Sequence, residues 1–164
     1  MDPVQEILLA RLTEVGGAHL LCIAPDTPPA IAAWLDQAGG RRVTALSPRR
    51  AVAALASMGR FDDALVTGAL ETLPLAEATA LIARLRDVHC HRFAVCYRRP
   101  GEEEPAWNDG RFRGLTLALH RRVTGPGGGE TSIYTYDIDT YNRRREWNTP
   151  ENWAHPGNFH RWRW

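Results

Sequence analysis

The chain has 164 residues, enough for one domain with its own core and short for two. Its 20 arginines against 19 aspartates and glutamates leave a formal net charge of +1, which argues against a dedicated nucleic-acid binder. Hydrophobic residues at 44% exclude wholesale disorder, and the absence of lysine excludes both a lysine Schiff base and a phosphate-gripping P-loop lysine.

Cys22, Cys90 and Cys96 lie in apolar surroundings, an odd count that reads as reduced core thiols rather than disulfides. The start, Met1-Asp2-Pro3-Val4-Gln5-Glu6, carries acid where a signal peptide needs base. No apolar run approaches the roughly 20 residues of a membrane span. A cytoplasmic protein without membrane contact is expected.

Residues 3–15 read as a helix, with Asp2 as cap, Pro3 in the first helical position and Gly16-Gly17 as the stop. Leu8, Leu9, Leu12 and Val15 then share one stripe. Residues 18–24 form a short apolar run of the kind that makes a strand buried on both faces. Thr27 is the expected cap of a helix over 28–38, which Gly39-Gly40 ends. A second strand is expected at 42–46, followed by a helix over 48–58 capped by Ser47. Residues 63–67 read as the third strand, 75–87 as a helix with Leu81, Ile82 and Leu85 inward, and 92–97 as the fourth strand. Strands alternating with helices through short loops imply parallel pairing by right-handed crossovers.

The pattern changes after residue 100. Residues 99–105 read as a solvated loop. Residues 115–123 and 132–138 alternate as strands around the glycine-rich turn 125–129, so an antiparallel hairpin closes the sheet. From Tyr141 the chain has no period, but it holds four of the six tryptophans, Trp147, Trp153, Trp162 and Trp164. Thr149-Pro150-Glu151-Asn152-Trp153 and His155-Pro156-Gly157-Asn158-Phe159 form a small repeat, each copy reading as a capped turn with proline first. The expected organisation is an α/β domain over 1–140 with an aromatic, arginine-rich tail over 141–164 packed on it.

Phe61-Asp62-Asp63-Ala64-Leu65-Val66-Thr67-Gly68-Ala69-Leu70-Glu71-Thr72-Leu73-Pro74 resembles the fourth-strand segment of class I S-adenosylmethionine-dependent methyltransferases, where an aspartate, an apolar strand and a leucine-glutamate-x-leucine-proline turn occur together. Residues 18–24 and 42–46 look like that family's first two strands, and 115–138 like its terminal hairpin. The resemblance covers roughly residues 18–140 and implies a shortened Rossmann-like, mainly parallel sheet with an antiparallel end. The tail resembles that of an uncharacterised bacterial family whose chains end in tryptophan, asparagine and proline.

Three departures from the methyltransferase pattern bear on its cofactor. The family's glycine-rich first loop is replaced by Ala24-Pro25-Asp26-Thr27-Pro28-Pro29-Ala30, whose prolines lack amide donors. The acid that should end the second strand is replaced by Leu46-Ser47-Pro48, and serine cannot make the charge-assisted pair. The family's third strand and its helix are shortened or absent.

Asp26, Thr27, Ser47, Asp62, Thr67 and Glu71 are the candidate ligand- or cofactor-binding residues, placed by the resemblance at the sheet end where open α/β folds hold ligands. Asp63 flanks them, and the competing account of all of them is capping and solvation. His89-Cys90-His91 with Cys96, and Asp137-Ile138-Asp139, have metal-ligand residue types. A helix-end histidine pair and an exposed strand end explain them more simply, so no metal site is assigned. Arg143-Arg144-Arg145 with Trp147, and His160-Arg161-Trp162-Arg163-Trp164, combine base with aromatics as single-strand binders do. Arginine stacked on tryptophan within a packed tail is the simpler account, and a protein partner is favoured over nucleic acid.

No catalytic triad, nucleophile signature or Walker loop is legible. The expected function is a non-catalytic binding or scaffolding module on a methyltransferase-like sheet, with no cofactor and with a small molecule or protein as partner. Two alternatives stand beside it: a methyltransferase that holds S-adenosylmethionine in a rearranged site through Asp26, Ser47 and Glu71, and nucleic-acid contact through the tail.

Overall fold

The computed structural model describes residues 1–101, 105–125, 127–141, 150–152, 155–158 and 161. Six strands form one sheet: β1 (His19–Ile23), β2 (Arg42–Leu46), β3 (Asp63–Thr67), β4 (Arg92–Arg98), β5 (Ala118–Thr124) and β6 (Glu130–Asp137). Their order is β2-β1-β3-β4-β6-β5. The first four strands are parallel, and β6 and β5 join antiparallel to them and to each other. This is the shortened Rossmann-like sheet with a terminal hairpin. β2 is the outer strand, and the helix after it leads directly to β3 on the other side of β1. The topological switch point therefore falls between β1 and β3.

Among the described residues the α-helices are α1 (Pro3–Val15), α2 (Pro29–Asp36), α3 (Pro48–Ala54), α4 (Ala69–Thr72), α5 (Leu75–Arg84) and α6 (Asp109–Gly114). Local chemistry sets the start and end of α1. Asp2 accepts from the amides of Val4 and Gln5, Pro3 needs no donor at the first position, and Gly16 leaves the helix at φ 68°. Thr27 does not cap α2; Pro28 occupies that position without a side-chain bond, and Pro29 sets the first turn. Ser47 stands at the cap position of α3, again without a side-chain bond. That helix ends at Ala54 and tightens into a 3-10 turn, Leu55–Ser57. The helix expected to run to 87 ends at Arg84 and widens into one π-type turn, Leu85–His89, closed by the Cys90 amide on the Leu85 carbonyl.

The sheet is covered on both sides, and strand alternation divides the core in two. Leu20 and Cys22 of β1 face Leu8 and Leu12 of α1 and Ile31 and Trp34 of α2. Leu21 and Ile23 face the opposite layer, with Leu55, Leu81, Ile82, Leu85 and Phe112. On that side Phe112 of α6 stacks on Tyr134 of β6 at 3.7 Å between ring centres. The hairpin starts later than its alternation suggests, because Leu115 still bonds back to Arg111 and Thr116 turns at φ 66°. No helix among the described residues is long and apolar enough to cross a membrane.

One ionic contact joins the α1 layer to the sheet. Arg11 lies on the inner side of α1, and its two terminal nitrogens grip both carboxylate oxygens of Asp63 at 2.6 and 2.9 Å. Both residues are buried, at 7% and 3% exposure. Asp63 also accepts from the Ala64 amide, so its lone pairs are well used. Removing one partner strands the other charge. Arg11→Leu is therefore expected to lower unfolding stability by about 3–5 kcal/mol, with Arg11→Leu/Asp63→Leu recovering most of it. Urea denaturation followed by circular dichroism checks this; a single-variant loss below about 1 kcal/mol, the size of an exposed pair, contradicts it.

Candidate functional site

The carboxyl ends of the four parallel strands gather the loops that begin at Ala24, Ser47, Gly68 and Arg99. The loop after β1 is tied down at its start by the Ala24 amide on the Leu46 carbonyl, 3.0 Å. Pro25 then lies against Gly68. A Cβ added at Gly68 would stand 2.7 Å from Pro25 Cδ and 2.9 Å from Cγ, so the proline ring occupies the space of a side chain there. Gly68 has φ 68° and ψ −1°, a left-handed conformation that glycine adopts at little cost. Two loops thus meet at the switch point, one supplying a ring and the other a vacancy for it.

Asp26 and Thr27 follow on the exposed part of the same loop, and Ser47 is exposed at the end of β2. None of the three makes a side-chain hydrogen bond among the described residues. Thr67 is half-buried at the end of β3. Glu71, one turn into α4, accepts from the Arg98 amide at 2.7 Å and so ties the end of β3 to the end of β4. Loss of hydration raises the Glu71 carboxyl above its ordinary range, against the lowering effect of the bonded amides and of Arg98.

Asp62 does not belong with these residues. It precedes β3, and in a parallel sheet whatever precedes a strand lies at the amino end, about 16 Å from Thr67 at roughly 3.3 Å per residue. There its Oδ2 accepts from the amides of Ala18 (2.8 Å) and His19 (2.9 Å). These two bonds hold its carboxyl below the usual range and fix the start of β1. Asp63, its neighbour, is spent on Arg11.

A cleft of about 600 Å³ opens at the carboxyl ends of β3 and β4, beside the first turn of α1 and the end of the hairpin. Thr67, Glu71, Cys96 and Arg98 contribute to it, whereas Asp26, Thr27 and Ser47 do not. Arg98 is not among the residues the sequence singles out, and Cys96 enters there only as a metal-type residue. The signal was present, since Ala94, Cys96 and Arg98 alternate along one face of β4 and the last two reach its carboxyl end.

The metal-type residues are dispersed or committed. His89 is buried and donates from Nδ1 to the Gly59 carbonyl at 2.9 Å, while its Nε2 has no partner among the described residues. Arg60 bonds the ring of His91 at 2.7 Å. Burial pushes the Cys90 and Cys96 thiols up to about 12 and Cys22 up to about 11, so all three stay protonated at neutral pH. Asp137 accepts from the Asp139 amide in a local turn. No three such side chains converge among the described residues. In the tail, short turns at Pro150–Asn152 and Pro156–Asn158 are seen. Arg143–Arg145, Trp147, Trp153, Phe159, His160, Trp162, Arg163 and Trp164 lie outside the described residues.

The model of a family of unknown function (DUF6231) matches residues 2–164. No curated protein matches the chain in sequence. Among solved structures, it is similar to the Burkholderia thailandensis 1,6-didemethyltoxoflavin-N1-methyltransferase with bound 1,6-didemethyltoxoflavin and S-adenosylhomocysteine (TM-score 0.58, 19% identity, 83% of this chain and 77% of that one). It is also similar to the Synechocystis PCC 6803 magnesium protoporphyrin IX methyltransferase with bound S-adenosylmethionine (TM-score 0.52, 15% identity, 80% of this chain and 76% of that one). A third is the pyocyanin biosynthetic protein PhzM (TM-score 0.53, 15% identity, 80% of this chain), of which the chain spans only about half, 53%. At these identities the similarity is one of fold.

The meeting of Pro25 and Gly68 has a direct mutational signature. Gly68→Ala places a methyl group inside the proline ring's contact distance and strains a positive φ. It is expected to cost about 1–3 kcal/mol, read from the midpoint of a urea titration. An unchanged midpoint contradicts the contact.

Proposed function

We propose that this chain, which belongs to the family of unknown function DUF6231, is a binding module built on a class I methyltransferase frame and does not itself transfer methyl groups. The observation that carries this reading is the Pro25 ring in the side-chain space of Gly68 at the switch point, where this fold class receives ligands.

The residues present do not fit S-adenosylmethionine at that place. A cofactor cradle in such a loop needs backbone able to approach closely and free amides to donate. Here Pro25, Pro28 and Pro29 carry no amide hydrogen, Pro28 is buried beneath the start of α2, and Pro25 fills the gap over Gly68. Ser47 offers one hydroxyl where a carboxylate would make a charge-assisted pair with ribose hydroxyls.

A second reading draws on a different observation. The frame is similar to that of the 1,6-didemethyltoxoflavin-N1-methyltransferase bound to S-adenosylhomocysteine, and Thr67 and Glu71 stand at the carboxyl edge of this sheet. A rearranged site would use them with Asp26 and Ser47.

Calorimetric titration of the folded protein with S-adenosylmethionine and S-adenosylhomocysteine separates the two. The binding-module reading expects no saturable heat, meaning a Kd above about 1 mM. Micromolar binding that weakens on Asp26→Ala or Ser47→Ala overturns it in favour of the methyltransferase.

A further inference from the structure

The cleft at the ends of β3 and β4 has the dimensions and lining of a small-molecule site. Its volume of about 600 Å³ falls within the roughly 300–1,000 Å³ of ligand pockets. Pro3, Val4, Leu8 and Val123 give it an apolar floor. Cys96 adds a protonated, polarizable thiol rather than a charge.

The charged groups on its wall are unequal in number. Asp2 and Glu71 contribute two carboxylates, and Arg98 contributes one guanidinium. An anion finds little to hold it there. The amides of Val4 and Gln5 at the start of α1 are already bonded by Asp2, and the Arg98 amide by Glu71. The Arg98 guanidinium lies along Gly129 in the hairpin turn, 3.6 Å from where a Cβ there would sit. A cation finds Glu71, an exposed carboxylate that spends one oxygen on the Arg98 amide, keeps lone pairs to spare, and has the Arg98 guanidinium as the positive group acting on it.

We propose that this cleft binds a small, mainly apolar molecule bearing one cationic nitrogen donor, with Glu71 as the anchor for that nitrogen and the α1 floor as the surface for its apolar body. A cationic nitrogen there donates to the carboxylate lone pairs that the Arg98 amide leaves free, a charge-assisted bond. The apolar body covers Pro3, Val4 and Val123, which otherwise face water in an open cleft. This inference rests on the binding-module reading for its biological sense, but the site is separate from the switch-point crevice.

The test is an amide chemical-shift titration of the isotope-labelled full chain with three probes of one shape: benzamidine (cationic), benzyl alcohol (neutral) and benzoate (anionic). Benzamidine is expected to saturate at millimolar concentrations, moving the amides of residues 67, 71, 96, 98, 124 and 131. Benzoate is expected to bind about tenfold more weakly or not at all. Glu71→Gln keeps the acceptor for the Arg98 amide, so the variant should fold normally; it is expected to weaken benzamidine about tenfold and leave benzyl alcohol unchanged. Equal binding of benzoate, shifts that avoid these residues, or benzamidine binding indifferent to Glu71→Gln overturns the proposal. Because the cofactor titration reads the crevice and this one reads the cleft, either reading fails without the other.

Discussion

The contact between the Pro25 ring and Gly68 governs how the ligand-facing edge of this fold is arranged. In a doubly wound sheet, the gap between the first strand and its neighbour across the switch point is the natural entrance for a ligand. Here one side of that gap supplies a rigid ring and the other a residue with no side chain and a left-handed backbone. Each choice makes sense only beside the other. A side chain at 68 would meet the ring, and a glycine at 25 would leave the gap open. In the proposed reading the proline ring narrows the entrance at the surface, and binding has moved one strand outward, to the cleft floored by α1.

The opposite edge of the sheet carries the structural chemistry. Asp62 and Asp63 are adjacent in sequence and point to different tasks. Asp63 turns into the α1 layer and takes the bidentate grip of Arg11. Asp62 remains outside and accepts the two amides that begin β1. Both therefore serve the frame at the amino end, and neither reaches the carboxyl end, where Thr67, Glu71, Cys96 and Arg98 meet. The sheet separates by about 16 Å the groups that hold the domain together from those free to contact a ligand.

Much of this frame was legible from residue patterns. β1, β3 and β4 are continuous apolar runs because helices cover both of their faces, and α1 is announced by Asp2-Pro3 and stopped by Gly16. Two short helices were not legible. α4 has four residues and α6 six, too few to show a period, and α6 is held by its Asn108 cap and by the stacking of Phe112 on Tyr134. β5 begins later than the alternation of Leu115 and Leu117 suggests, because Leu115 caps α6 and the Leu117 amide bonds back to the Phe112 carbonyl. Thr67 and Glu71 could be placed at the ligand edge because they follow a strand. Asp62 stands at the other edge because the five residues to Thr67, close in sequence, are a strand's length in space. Thr27 was expected to cap α2, yet two prolines set that start without it. The pairing of Pro25 with Gly68 joins residues 43 positions apart and left no local signal.

The most direct measurement is of proton–proton nuclear Overhauser contacts between the Pro25 ring and the Gly68 α-protons, first in the free protein and then with excess S-adenosylhomocysteine. The account predicts strong contacts that persist unchanged when the ligand is added. Their absence in the free protein, or their loss as the ligand saturates, would show an open crevice and contradict it.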